Sequence, residues 1–246
     1  MLIHIIFSIV ILVCSYWLLC AILGTLAKQH NIKINYTRKI GHFSMFIFPG
    51  IVYAFFNIIE TADKLVIASL SSIIFFISLS QMFRRRFKYL ASSFHAIDRP
   101  EDRPYTLIWI FSQTIVGFLI LAVFSVFWGI LGIPYELMYM TILTTTIGDG
   151  LAEPIGVRFG KNKYAVKGFL IDKVFYRSYE GSFTVFITAL ILGLVFMYRF
   201  SPLGAALMIL CFPLGMALTE AKSPHTWDTP FLFFVGNLII TVAYLL

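Results

Sequence analysis

Apolar residues fall in eight long runs, approximately Met1 to Ala27, His42 to Ile59, Leu65 to Phe83, Tyr105 to Leu131, Pro134 to Val157, Gly181 to Tyr198, Leu203 to Thr219 and Thr229 to Leu246. The runs are continuously apolar rather than alternating, and a helix needs about 20 such residues to cross the hydrocarbon core of a bilayer. Lipid offers the backbone no hydrogen bonds, so only helices and closed barrels span it, and barrel strands alternate between lipid-facing and lumen-facing residues. The pattern predicts an all-α polytopic membrane bundle of about eight transmembrane helices. The polar stretches between runs reach only about 20 residues, too short for a soluble domain with its own core. Residues 1–246 are therefore expected to form a single integral-membrane domain. No internal repeat of the kind many transporters carry is visible. The first run has no basic segment ahead of it and is followed by Lys28, Lys33, Arg38 and Lys39, which reads as a retained helix with its N-terminus outside rather than a cleaved signal peptide.

Composition narrows the partners. Of 246 residues, 59% are hydrophobic and only 13% charged, against roughly 25% charged in a soluble domain. Too little polar surface remains for a soluble enzyme, a disordered chain or a nucleic-acid-binding module, so no nucleic acid is expected as a partner, and no protein partner is predicted. The net charge of +7 is explained by where it sits: 17 of the 19 lysines and arginines lie in alternate loops, and only Lys64 and Arg199 fall in the others. The positive-inside rule then puts the basic loops in the cytoplasm and both termini on the non-cytoplasmic side, with an even number of crossings. Cys14, Cys20 and Cys211 lie inside apolar runs, without zinc or disulfide spacing, and read as packing thiols.

Anchoring explains cations at a membrane edge but not acids beside a span. Asp149 and Glu153 stand in the fifth run, within Gly148-Asp149-Gly150-Leu151-Ala152-Glu153-Pro154, and an acid at a helix centre costs roughly 2.5–3.5 kcal/mol on insertion scales. On a helix their spacing puts both on one face, where they could bind a hard divalent cation such as Mg²⁺. Gly148, Ala152, Gly156 and Gly160 form a neighbouring stripe that admits another helix or a ligand. Pro154 cannot donate to the Gly150 carbonyl, so a break or kink is expected near Gly148 to Gly150. The alternative is a small-residue packing motif whose acids pair with loop arginines. Arg38, Lys39 and His42 at the mouth of the second span suit a phosphate group, or else anchor the helix. The loop from Arg158 to Arg177 carries six cations and leads into Glu180-Gly181-Ser182, a mixture that a nucleoside triphosphate would need. Glu220 and Asp228, in the short turn before the last run, face the same side.

Taken in order, Arg38-Lys39 with His42, Gly148-Asp149 with Ala152, Gly156 and Gly160, Glu180-Gly181-Ser182, and Glu220-Ala221 with Asp228 resemble the polyprenol kinase family, which includes dolichol, phytol and farnesol kinases and CTP-dependent diacylglycerol kinases. The match covers about Arg38 to Asp228. It departs at Arg177, where the family usually has lysine, at Thr229, where asparagine is common, and in the long loop between Gly160 and Arg177. Phosphatidate cytidylyltransferases share the Gly-Asp-x-x-Ala and Glu-Gly-Ser patterns, but their C-terminal His-Gly-Gly and Asp-Arg signature is absent.

The resemblance implies a CTP-dependent kinase acting on the hydroxyl of a lipid alcohol at the cytoplasmic face of the bilayer. Asp149 and Glu153 would hold Mg²⁺ or another divalent cation on the triphosphate. Lys161, Lys163 and Arg177, with Arg38, Lys39 and His42, would neutralise or orient phosphates, alongside Gly148, Gly156, Gly160, Gly181 and Ser182. Asp149 or His42 could take the hydroxyl proton, with Glu180 as a further catalytic carboxylate and Glu220 and Asp228 joining the site. The other readings are a cytidylyltransferase, attacking at the α-phosphate, and a non-enzymatic transporter or lipid-binding protein.

Overall fold

The computed structural model describes residues 2–246. Among the described residues there are eleven α-helices. The first six are α1 (Leu2–His30), α2 (Ile34–Phe55), α3 (Thr61–Ser78), α4 (Gln81–Arg86), α5 (Lys88–His95) and α6 (Thr106–Leu131). A π-helical segment, Thr144–Asp149, joins α7 (Met138–Leu143) to α8 (Gly150–Phe159). Two strands, β1 (Lys163–Gly168) and β2 (Ile171–Ser178), precede α9 (Tyr179–Phe196), α10 (Pro202–Lys222) and α11 (Thr229–Leu245). Among the described residues, five helical segments are long and apolar enough to cross a membrane: Leu2–His30, Thr61–Ser78, Thr106–Leu131, Tyr179–Arg199 and Pro202–Lys222. Only 22–28% of the residues in their most apolar stretches are buried within the protein, so most of that apolar surface is left for lipid. This is the make-up of a multi-pass membrane protein.

Three predicted spans differ in form. The second is carried by α2, which begins before the predicted span, ends at Phe55 and bears Arg38, Lys39 and His42 in its first turns. The fifth is interrupted by the π-helical segment, and the last is a 17-residue helix. The disruption forecast around Gly148 to Gly150 is thus a widened turn that ends at Asp149. Its threonines help to stabilise it: the hydroxyls of Thr144, Thr145 and Thr146 donate back to the carbonyls of Met140 (2.8 Å), Thr141 (3.0 Å) and Ile142 (2.7 Å). Such back-bonding bends helices, and π turns concentrate at functional sites.

The helical architecture is the one expected, and the basic loop adds one small sheet to it. Residues 163–178 form an antiparallel hairpin, with Tyr164 opposite Arg177, Val166 opposite Phe175 and Lys167 opposite Val174. β-branched and aromatic residues placed on alternate faces suit a pleated strand, and the four cations of the hairpin obscured that pattern in a charge-based reading. Val166 and Phe175 point inward, while Lys167, Val174 and Tyr176 point out.

The chain divides into two compact units, Met1–Ile115 and Val116–Leu246, with the boundary inside α6. In the first, α1 packs on α2, α3 and α5 around Leu12, Tyr16, Phe75, Leu79 and Leu90. In the second, α9 packs on α8 and α10, and α10 on α11.

Candidate functional site

Three of the four sequence motifs converge in the second unit. Arg177, at the end of β2, reaches the turn between α10 and α11. Its guanidinium pairs with Glu220 at 3.0 Å and Asp228 at 3.1 Å, and it also donates to the backbone carbonyls of Glu220 and Pro224. The three side chains are only 5–13% exposed. Asp149, buried at the end of the π turn, is close enough for its charge to act on both Arg177 and Glu220. Burial alone would lower the Arg177 pKa; the charges of Glu220, Asp228 and Asp149 outweigh it and hold the guanidinium above its ordinary value. Two carboxylates contact one arginine, and the charge of Asp149 acts on the same group.

The roof of this cluster is the hairpin. The Tyr164 hydroxyl lies 2.5 Å from Ser182 Oγ, and its pKa is pushed up to about 12, by burial first and then by the charge of Glu220. It stays protonated and can donate a hydrogen bond. Ser182 Oγ is also within 3.3 Å of the Ser178 carbonyl. The hairpin is fixed to the α10–α11 turn by two face-to-face ring pairs, Phe175 on His225 (centroids 3.8 Å apart) and Phe169 on Trp227 (4.1 Å), and by the His225 N–H donating to the Lys167 carbonyl at 2.9 Å.

Other motif residues have local structural work. Ser178 caps α9, its Oγ accepting from the Gly181 N–H at 3.1 Å, as an N-cap serine does. Glu180 Oε1 accepts from the backbone N–H groups of Lys161 (3.0 Å) and Asn162 (3.2 Å), so this carboxylate is engaged in tying the start of the hairpin to α9. Arg177, expected to neutralise phosphate, pairs with two carboxylates and donates to two backbone carbonyls. The small-residue stripe admits a helix: a Cβ at Gly148 would lie 3.1 Å from the Val185 Cα, and one at Gly156 or Gly160 would crowd Ser178. That space is filled by α9 and its cap. Lys161 and Lys163 are exposed. Glu153 is half-buried on α8.

Gly181 offers a direct check of this packing. A Cβ there would lie 2.7 Å from the backbone oxygen of Ala152, which cannot swing away as a side chain can. Alanine is the better helix former by about 1 kcal/mol, yet Gly181→Ala is expected to destabilise by roughly 1–3 kcal/mol through overpacking. Thermal unfolding of the detergent-solubilised protein reads the sign; a gain in stability would refute the close approach of α8 and α9.

Arg38, Lys39 and His42 belong to the first unit, where Arg38 joins a second buried network. Asp102, 0% exposed, is paired with Arg38 at 3.2 Å and Arg99 at 2.7 Å. Asp98 accepts from Arg103 and Thr106, each at 2.8 Å. Lys39 is buried within α2, and the His42 ring meets Phe46 edge-on at 5.2 Å. Sequence reasoning counted Arg99 and Arg103 only as anchoring cations and passed over Asp98, Asp102 and Tyr164. The signal for the aspartates was Asp98-Arg99-Pro100-Glu101-Asp102-Arg103-Pro104, where acids recur at the spacing of the bases. Tyr164 could have been found from the strand alternation.

For a divalent cation the donor chemistry is suitable though sparse. Among the described residues no three His, Cys, Asp or Glu side chains are grouped to hold a metal ion. Mg²⁺, however, is commonly held by one or two carboxylates together with substrate phosphates. The carboxylates of Glu220 and Asp228 beside Arg177 fit that mode, and Glu220 Oε2 is enclosed without a hydrogen bond of ordinary geometry. Compared with protein-family models, curated proteins and solved structures, the chain matches none.

Proposed function

We propose that the protein is a CTP-dependent kinase of the polyprenol kinase type, transferring phosphate to the hydroxyl of a lipid alcohol at the cytoplasmic membrane surface. The observation that carries this reading is the meeting of three separated motifs, around Asp149, Arg177 to Ser182, and Glu220 to Asp228, in one buried charged cluster. Asp149 and Glu153 would hold a divalent cation, which supplies charge neutralisation on the triphosphate. Arg177 holds Glu220 and Asp228 in place, while Lys161 and Lys163 are exposed and available to phosphate oxygens. Tyr164 and Ser182 offer hydroxyls beside the carboxylates. Phosphate transfer depends mainly on positioning and charge stabilisation, which a pre-formed cluster provides, and Asp149 is the carboxylate assigned to take the alcohol proton. Counting α2, the α7–α8 rod and α11 as crossings gives eight, with both termini on the non-cytoplasmic side.

The test is to incubate purified protein with labelled CTP and a panel of isoprenoid alcohols and diacylglycerol. Label from the γ-phosphate should enter the lipid, and Asp149→Asn should reduce transfer by about 10²-fold or more. Label entering from the α-phosphate would identify a cytidylyltransferase. Near-wild-type transfer by Asp149→Asn would remove Asp149 from the chemistry.

A further inference from the structure

The first unit holds a group of cations that the kinase reading leaves unused. There α5 lies close along α1: Ser92 Oγ is 3.0 Å from Thr25 Oγ and 3.2 Å from the Ala21 carbonyl, and a Cβ at Gly24 would overlap the Ser92 carbonyl. Tyr89 meets Trp17 while Ala96 meets Gly24, so the two helices run in the same direction. One turn beyond the Thr25–Ser92 contact, α1 carries Lys28 and α5 carries His95, which brings both to the same end of the pair. Burial lowers the His95 pKa, and the positive charges of Lys28 and Arg103 lower it further, opposed by Asp98. These groups therefore face one another. Arg103 pairs with Asp98 at 2.8 Å, and the charge of Asp98 also acts on Arg84. The Arg84 guanidinium lies over the Phe94 ring, 3.6 Å from its centre, and its Nε is enclosed without a hydrogen-bond partner. Lys28, Arg84 and Arg103 thus gather with His95 about the Asp98 carboxylate.

We propose that this group binds the headgroup phosphate of an anionic phospholipid from the surrounding bilayer. A phosphate oxygen would give Arg84 Nε the acceptor it lacks, and charge-assisted bonds from arginine and lysine are the strong ones. The position favours a lipid over a free anion. Helix α4 starts just after α3, one of the five apolar helices, and cations next to the end of a span meet the charged surface of an anionic leaflet. Around Arg84, the exposed Arg85, Arg86 and Lys88 are interleaved with exposed Met82, Phe87 and Tyr89. Apolar and basic side chains mixed on short helices suit the boundary between headgroups and acyl chains, where a soluble phosphate would leave the apolar members unused. Every residue named belongs to the first unit, so the site stands whether or not the protein is a kinase.

The experiment is native mass spectrometry of the full chain released from detergent, which counts bound lipids as phosphatidylglycerol or phosphatidylcholine with identical acyl chains is added. The first phosphatidylglycerol should bind several-fold more tightly than the first phosphatidylcholine. Arg84→Gln and Lys28→Gln should each weaken that first phosphatidylglycerol about fivefold, the worth of one cation at an anionic lipid surface, and leave phosphatidylcholine binding and the melting temperature unchanged. Arg84→Lys should restore part of the loss. Arg85→Gln, on the exposed side of α4, should cost less than Arg84→Gln. Equal binding of the two lipids, or unchanged phosphatidylglycerol binding in both folded glutamine variants, would overturn the assignment. So would an equal loss in Arg85→Gln, which would show a diffuse basic surface, or displacement of the lipid by millimolar inorganic phosphate, which would show a site for soluble anions.

Discussion

Arg177→Met is expected to be the most damaging single substitution in the second unit. It removes the cation that contacts both Glu220 and Asp228, while the carboxylates remain enclosed by α10, the following turn and the hairpin. Breaking a buried pair by deleting one partner costs about 3–5 kcal/mol, because the survivor's charge is left uncompensated. Here two carboxylates survive, with the charge of Asp149 acting on the same place. The melting temperature of the purified protein should fall by many degrees, and phosphate transfer should be lost with it. Arg177→Lys should recover part of the stability, since lysine restores the charge but not the fork that reaches two carboxylates at once. A triple variant with apolar residues at Arg177, Glu220 and Asp228 separates the two effects: stability should return, and activity should not. Wild-type melting in Arg177→Met would show that the cluster is solvated and that the ion pairs contribute little.

The second large effect is expected in the first unit. Asp102→Ala deletes a fully buried carboxylate that holds Arg38 and Arg99 together. Two guanidinium groups, with Lys39 buried on the same helix as Arg38, would lose their shared counter-ion, again at about 3–5 kcal/mol. Asp102→Asn keeps the shape and an acceptor oxygen but not the charge, so it should fall between wild type and Asp102→Ala. Thermal unfolding and the yield of detergent-extracted protein are the readouts. A loss below about 1 kcal/mol for Asp102→Ala, the level of an exposed pair, would contradict the burial of this network.

These two networks mark how far the residues alone could be read. The apolar runs gave the membrane-spanning helices because a span is a local property, fixed by about 20 consecutive side chains and the need to satisfy the backbone in lipid. The break at the fifth run was equally legible, since Pro154 acts on the helix that contains it. Candidate acids could be picked out because charge beside a span is costly. Asp149, Glu220 and Asp228 were selected in this way, and so was Arg177, though for a phosphate rather than for the carboxylates it meets.

Partnership is a different kind of property. Arg177 and Glu220 are 43 residues apart, and Arg38 and Asp102 are 64 apart, so neither pairing has a local signature. The hairpin was hidden because its strand alternation is carried by a segment in which lysines occupy the outer face. The sequence by itself determined that the chain is helical, bound to a membrane and supplied with a few acids among many cations. Only the tertiary structure decided which charges meet, because that depends on helices brought together by packing over long stretches of chain, and it placed Arg177 between the carboxylates of Glu220 and Asp228.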